Sequence, residues 1–239
     1  MLHLRAGMES VEGTDLLCGA SEGAVPVIRR MSKVATFYQS NGWRREPIDK
    51  AWLEDGIILR KGVVAMEADK TEFRRVIRGL KTLFKGLQEK GPDRLHQFVR
   101  SIEALILPVV GKTQKQFVNR SQTFARPGDE TQAVLREVFD MRSGTEHLHP
   151  WDKAVRKYPA EEREDVCWQR TRQIERLACD AYSRLLRNSM LRSYFRTDTK
   201  IEDFWKLRAN QRSAIWGKPL DIALEPLVRD YDQSERAII

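Results

Sequence analysis

The sequence predicts an all-α protein: an antiparallel helical bundle with a small N-terminal appendage. Three observations lead there. From Asp69 onward, apolar residues recur at three- and four-residue steps, the period of a helix with one buried face. Gly-Pro and Pro-Gly pairs cut that pattern into helix-sized pieces. The connections between pieces are short, which favours antiparallel neighbours.

Residues 1–24 are rich in Gly, Ser and Glu and poor in large apolar side chains, so a poorly ordered lead-in is expected there. Residues 25–66 are expected to form the appendage. Its Ile57-Ile-Leu-Arg and Val63-Val-Ala-Met runs are rich in β-branched residues and flank Lys61-Gly62, the pattern of a β-hairpin. Trp43 and Trp52 would cap that unit against the helices.

The helical domain is expected over 67–239. Its first helix buries Phe73, Val76, Ile77, Leu80, Leu83, Phe84 and Leu87 and ends at Gly91-Pro92, with Asp93 as cap of the next. That next helix buries Leu95, Phe98, Val99, Ile102, Leu105 and Ile106. It also carries His96, Arg100 and Glu103 along one side. Either such a polar stripe is a solvated set of ion pairs, or its Glu103 or Arg100 supports a site shared with Arg142.

A segment after Gly111 anchors on Phe117, Val118 and Phe124 and is broken by Pro127-Gly128-Asp129. Residues 130–146 form another helix, burying Val134, Leu135, Val138, Phe139 and Met141, and Pro150 stops it. After a Pro-bounded loop, a long amphipathic helix is expected over 161–195, with Cys167, Ile174, Leu177, Ala178, Ala181, Leu185 and Leu186 on its core side. Arg170, Arg172, Arg176, Arg184, Arg187, Arg192 and Arg196 accumulate there and are read as a solvated face interleaved with acids. Residues 200–216 are a last short helix, and the tail over 230–239 is expected to dock only in part.

Lys+Arg 42 against Asp+Glu 34 gives a net charge of +8. That balance favours phosphate-rich partners and says nothing about fold. Cys18, Cys167 and Cys179 are odd in number and far apart, with no CxxC pair, which argues against a disulfide framework or a zinc ribbon. No apolar run approaches ~18 residues, and no signal-peptide core leads the chain, so a soluble, cytoplasmic protein is expected. There is no Gly-rich phosphate loop and no HExxH, and neither cofactor nor metal is expected.

The stretch most specific in its chemistry is Val138-Phe-Asp-Met-Arg142-Ser-Gly-Thr-Glu-His147-Leu-His149. An arginine stays cationic and can fork onto phosphate oxygens. An imidazole titrates near ~6.5 and moves protons at neutral pH. At about 100° per residue, His149 would lie almost under Arg142 and His147 would be displaced by about 140°. Gly144 weakens helix here, so that angle is not fixed. Spacing alone leaves two readings: a phosphate-and-proton site, or an exposed histidine beside an arginine paired with Glu146 or Asp140.

Phe139-Asp-Met-Arg142-Ser-Gly-Thr-Glu-His147, near the end of a bundle helix, resembles the Arg-x(4–6)-His motif of the HEPN superfamily. Arg94-Leu-His-Gln-Phe-Val-Arg100-Ser-Ile-Glu103-Ala-Leu-Ile and Phe117-Val-Asn-Arg120-Ser look like the helices preceding it in uncharacterised bacterial members. The resemblance covers residues 70–200 and implies a helical bundle that dimerises. It further implies a metal-independent endoribonuclease site built from the Arg and His of two protomers, in stress response or phage defence, with an antitoxin or other partner protein. By that resemblance Arg142 would grip the scissile phosphate and His147 would move the proton. His149 is in reserve, and Ser143, Glu103 and Arg100 are in support. Ser143 stands where many of the family's nucleases carry Asn, Asp or His; its hydroxyl can still hydrogen-bond. Other HEPN-like proteins bind RNA, a nucleotide or a partner protein without cutting, and that alternative stays open.

Overall fold

The computed structural model describes residues 50–223 and, in the N-terminal part, the backbone of four strands. β1 (Met8–Val11) pairs antiparallel with β4 (Thr36–Gln39), and β2 (Leu16–Glu22) with β3 (Val25–Met31). These ribbons lie on both sides of the boundary expected at residue 24. Trp43, the Trp52 side chain, the rest of the expected lead-in and the tail over 230–239 lie outside the described residues.

The helical part runs α1 (Lys50–Ala68), α2 (Arg74–Gly86), α3 (Gly91–Ile106), α4 (Thr113–Ser121) and α5 (Asp129–Glu146). It continues through the short α6 (Asp152–Val155), a 3-10 turn (Ala160–Glu162), α7 (Arg163–Arg187), α8 (Ser189–Ser193), α9 (Asp198–Lys206) and α10 (Ala209–Trp216). This is the all-α bundle that the periodicity predicts. Among the described residues, no helix is long and apolar enough to cross a membrane.

The hairpin expected over 57–66 is instead part of α1. Leu59 and Met66 are fully buried and Val63 packs on the core, at helical steps. The run imitates a strand because Leu53, Ile57 and Val64 are also apolar yet exposed, and they hide the helical period. Gly62 is not a turn residue. At this point α1 meets α7 so closely that a Cβ on Gly62 would stand 2.2 Å from the Leu186 carbonyl oxygen.

α3 is the central helix, packed by α2, α4, α5, α7 and α9. Its Leu95, Phe98, Val99, Ile102, Leu105 and Ile106 are all fully buried. Burying one such side chain is worth about 1.5–3 kcal/mol, so this face fixes the helix firmly. Lys90 caps α3 and Pro92 sits in its first turn, where a fixed φ suits helix and no N–H is missed. Asp93 therefore lies inside the first turn, not at the cap, where its charge complements the helix dipole.

Two contacts hold α3 to α7. Arg94 donates to Glu175 at 2.9 Å, and the Tyr182 hydroxyl donates to the Ser101 carbonyl at 2.9 Å, so this pair runs parallel. Gly79 on α2 leaves room for that hydroxyl: a Cβ there would lie 1.9 Å from it.

The long helix expected over 161–195 breaks at Asn188, which leaves helical conformation and caps α8 by accepting from the Leu191 N–H at 3.0 Å. The helix expected over 200–216 likewise divides, with Leu207 and Arg208 extended between α9 and α10. The arginines of this region do not share one face. Arg170 is buried against Glu137 at 2.7 Å, whereas Arg184 pairs with Asp180 and Arg187 with Asp55.

Candidate functional site

α5 places Arg142 at the margin of its buried face, one residue past the fully buried Met141. The guanidinium lies 5.6 Å from the Phe139 ring centroid and is half-buried. Its Nη2 donates to Glu103 Oε2 on α3 at 3.3 Å, and its Nη1 donates to Glu146, one turn further along α5. Glu146 in turn lies 3.4 Å from His96 Nε2 on α3. Because α3 and α5 are antiparallel, the residue seven before Glu103 meets the residue four after Arg142. The result is a ladder that runs from Glu103 through Arg142 and Glu146 to His96.

Burial sets the charge states in this ladder. It pushes the Glu103 carboxyl above its ordinary value, against the pull of Arg142, and holds the His96 imidazole below its own, against the hydrogen bond to Glu146. Glu103 Oε1 and Arg142 Nε are buried with no hydrogen-bond partner among the described residues.

The helix ends at His147, whose N–H reaches the Ser143 and Gly144 carbonyls, both at 3.2 Å. Leu148 adopts a left-handed φ of 55° and is 93% exposed. This reversal lets the His149 N–H return to the Gly144 carbonyl at 2.8 Å. The two imidazoles are exposed, with ring centroids 6.2 Å apart.

Of the residues singled out from sequence, Arg142 and Glu103 are in direct contact. Arg142 pairs with Glu146 and not with Asp140, which accepts from Gln114 at 2.6 Å. Among the described residues, no hydrogen bond or ion pair joins His147 or His149 to Arg142. Ser143 is half-buried in α5. Arg100 is exposed and turns toward a neighbouring groove. The sequence reading placed His96 on the stripe but not in the site, and it gave Glu146 only as an ion-pair partner. A seven-residue step puts His96 and Glu103 on one face of α3, but only the packing of α5 along that face brings Glu146 to His96.

That groove, of about 640 Å³, shares Glu103 with the ladder, takes in Arg100 and extends along α2 past Arg74, Arg75 and Arg78. Arg75 is tied to Asp198 at 2.7 Å. Arg74, Arg78 and Arg100 form no ion pair among the described residues, although Glu72, Glu103 and Asp198 line the same groove, and Arg100 and Arg74 act electrostatically on Glu103 and Asp198. Among the described residues, no three His, Cys, Asp or Glu side chains gather closely enough to hold a metal ion. No protein-family model, curated protein or solved structure matches the chain.

Proposed function

We propose that the protein is a metal-independent endoribonuclease that acts as a homodimer and cleaves RNA through the RNA's own 2′-hydroxyl. What carries the reading is one helix end, α5, which holds a half-buried guanidinium and, just beyond it, two exposed imidazoles. Four arginines, Arg74, Arg75, Arg78 and Arg100, against three carboxylates in the neighbouring groove add a net positive surface for a polyanion.

RNA supplies its nucleophile, so the protein must provide in-line geometry, a proton carrier and positive charge at the phosphorane. Glu146 is the more exposed partner of Arg142, at 36% against 14% for Glu103. An incoming phosphate therefore displaces Glu146 while Glu103 holds the guanidinium from behind. Arg142 stabilises the charge that grows on the phosphorane, and His147 takes the 2′-hydroxyl proton or gives one to the leaving 5′-oxygen. His149 can take the same role. Within one chain neither imidazole bonds Arg142, so a second copy would bring its His147 across an isologous contact.

A second reading has its own observation. Both Nη groups of Arg142 are occupied by carboxylates, as suits a non-catalytic module that binds RNA, a nucleotide or a partner such as an antitoxin. Incubation of purified protein with RNA in EDTA separates the two. Cleavage should leave 2′,3′-cyclic phosphate and 5′-hydroxyl ends, and DNA should survive. If the Arg142→Ala/His147→Ala double variant cuts as well as wild type, the endoribonuclease reading is wrong.

A further inference from the structure

A second cavity, of about 480 Å³, opens where the motif runs into α6, within the ~300–1,000 Å³ typical of small-ligand sites. Its walls include the indoles of Trp151 and Trp168, with Pro92 and Cys167; Asp152, Arg163 and Glu164 also line it. We propose that this cavity is a nucleobase subsite, taking a base with an exocyclic amine from the nucleotide next to the one held at Arg142. Its place beside that residue rests on the endoribonuclease reading; its chemistry does not.

The first indole is fixed in position. Trp151 Nε1 donates to Thr145 Oγ1 at 2.9 Å, and Thr145 Oγ1 donates to the Met141 carbonyl at 3.1 Å. The ring is thus anchored to the helix that carries Arg142, two residues past His149. Indole faces are the surfaces on which unpaired bases stack, whatever their sequence. Burial pushes the Cys167 thiol up to about 11, so it stays neutral and serves as apolar wall.

The cavity offers charged groups of both signs, for a phosphate and for a base amine. Arg163 donates to the Tyr158 carbonyl at 3.1 Å and the Arg156 carbonyl at 3.4 Å. Those bonds use neutral acceptors, and no carboxylate pairs with it among the described residues. Its guanidinium is the cation that a phosphate entering this cavity would meet. Asp152 and Glu164 are exposed acceptors. They suit the amine of adenine, cytosine or guanine, whereas uracil presents a carbonyl at the corresponding edge and repels a carboxylate.

Calorimetric titration of the full chain with adenosine 5′-monophosphate tests this without any cleavage. AMP should bind saturably and more tightly than UMP. Trp168→Leu should weaken AMP binding about tenfold to hundredfold, as expected for losing one stacking surface. Trp168→Phe, which keeps a ring, should stay within a few-fold of wild type, and Arg163→Gln should bind AMP no better than adenosine. A 2′-O-methyl oligoadenylate, which a 2′-hydroxyl-dependent nuclease cannot cut, identifies the source. Tighter binding than AMP assigns the subsite to RNA, and weaker binding assigns it to free nucleotide. No saturation by AMP or the oligonucleotide would overturn the proposal, as would a folded Trp168→Leu that binds like wild type. RNA cleavage in EDTA is scored separately, so a nuclease without this subsite and a subsite without a nuclease give different results.

Discussion

Glu103 and Arg142 share one hydrogen bond across α3 and α5, and each keeps a buried atom that bonds nothing among the described residues. Removing Arg142 strands Glu103, whereas removing Glu103 leaves Arg142 its bond to Glu146. Breaking a fully buried pair costs about 3–5 kcal/mol, and this one is partly solvated, so Arg142→Ala should cost about 1–3 kcal/mol in urea unfolding. Arg142→Lys, which keeps a charge but not the fork, should cost less and should still lose cleavage. An Arg142→Ala variant as stable as wild type would show that the pair holds nothing together.

His147 is the opposite case. Its side chain is exposed, and the helix end is made by backbone bonds. His147→Ala should therefore change stability by no more than about 0.5 kcal/mol. The cleavage rate should fall by about 10²–10⁴-fold, the usual contribution of a general acid or base. Thermal unfolding and single-turnover cleavage on the same preparation measure both.

On the endoribonuclease reading, Glu146 competes with phosphate for Arg142. A surface ion pair is worth about 0.2–1 kcal/mol, so Glu146→Gln should tighten RNA binding by up to about fivefold at low salt. Filter binding with a 2′-O-methyl RNA would read it. Weaker binding would mean that Glu146 positions Arg142 and does not compete for it.

His96 should leave a mark on the pH dependence of folding. Burial holds its folded-state pKa below the ordinary 6.5. Between the two values the unfolded chain takes a proton that the native one refuses. Stability is thus full above the ordinary value and is lost as pH falls through the folded one. Urea midpoints at pH 7.5 and 5.5 should differ less in His96→Gln than in wild type.

Gly62 offers a test of the corrected fold. Gly62→Ala would place a methyl against the Leu186 backbone and should cost about 1–3 kcal/mol as overpacking. A hairpin turn at the same position would have tolerated alanine differently, through φ alone.

The helices after Asp69 were legible because one apolar face repeats cleanly, as Leu95, Phe98, Val99 and Ile102 do. α1 was not, because Ile57 and Val64 add apolar residues on its exposed side and erase the contrast that periodicity needs. Breaks such as Asn188 were hidden because an asparagine cap resembles any polar helix residue until its side chain is seen to accept from Leu191. At the site, Arg142 and Glu103 could be named as neighbours because a helix stripe and a helix end point at each other. The step to His96 needed the antiparallel register of α3 on α5, which no local spacing encodes. Trp151 and Trp168 were not singled out, since only the turn through α6 and the 3-10 segment brings them to one cavity.

Tyr182 reaches through the bundle to the Ser101 carbonyl, in the space that Gly79 leaves open, and so keys three helices at one point. The polar stripe of α3 is thereby indexed from the interior. Exchanging His96 or Arg100 alters the surface chemistry without letting α3 slide or roll, whereas exchanging Tyr182 shifts every residue of the stripe together. The two properties can consequently drift apart over evolution. Homologous chains should vary along the stripe and the arginine groove, under a tyrosine, a glycine and a backbone carbonyl that stay put.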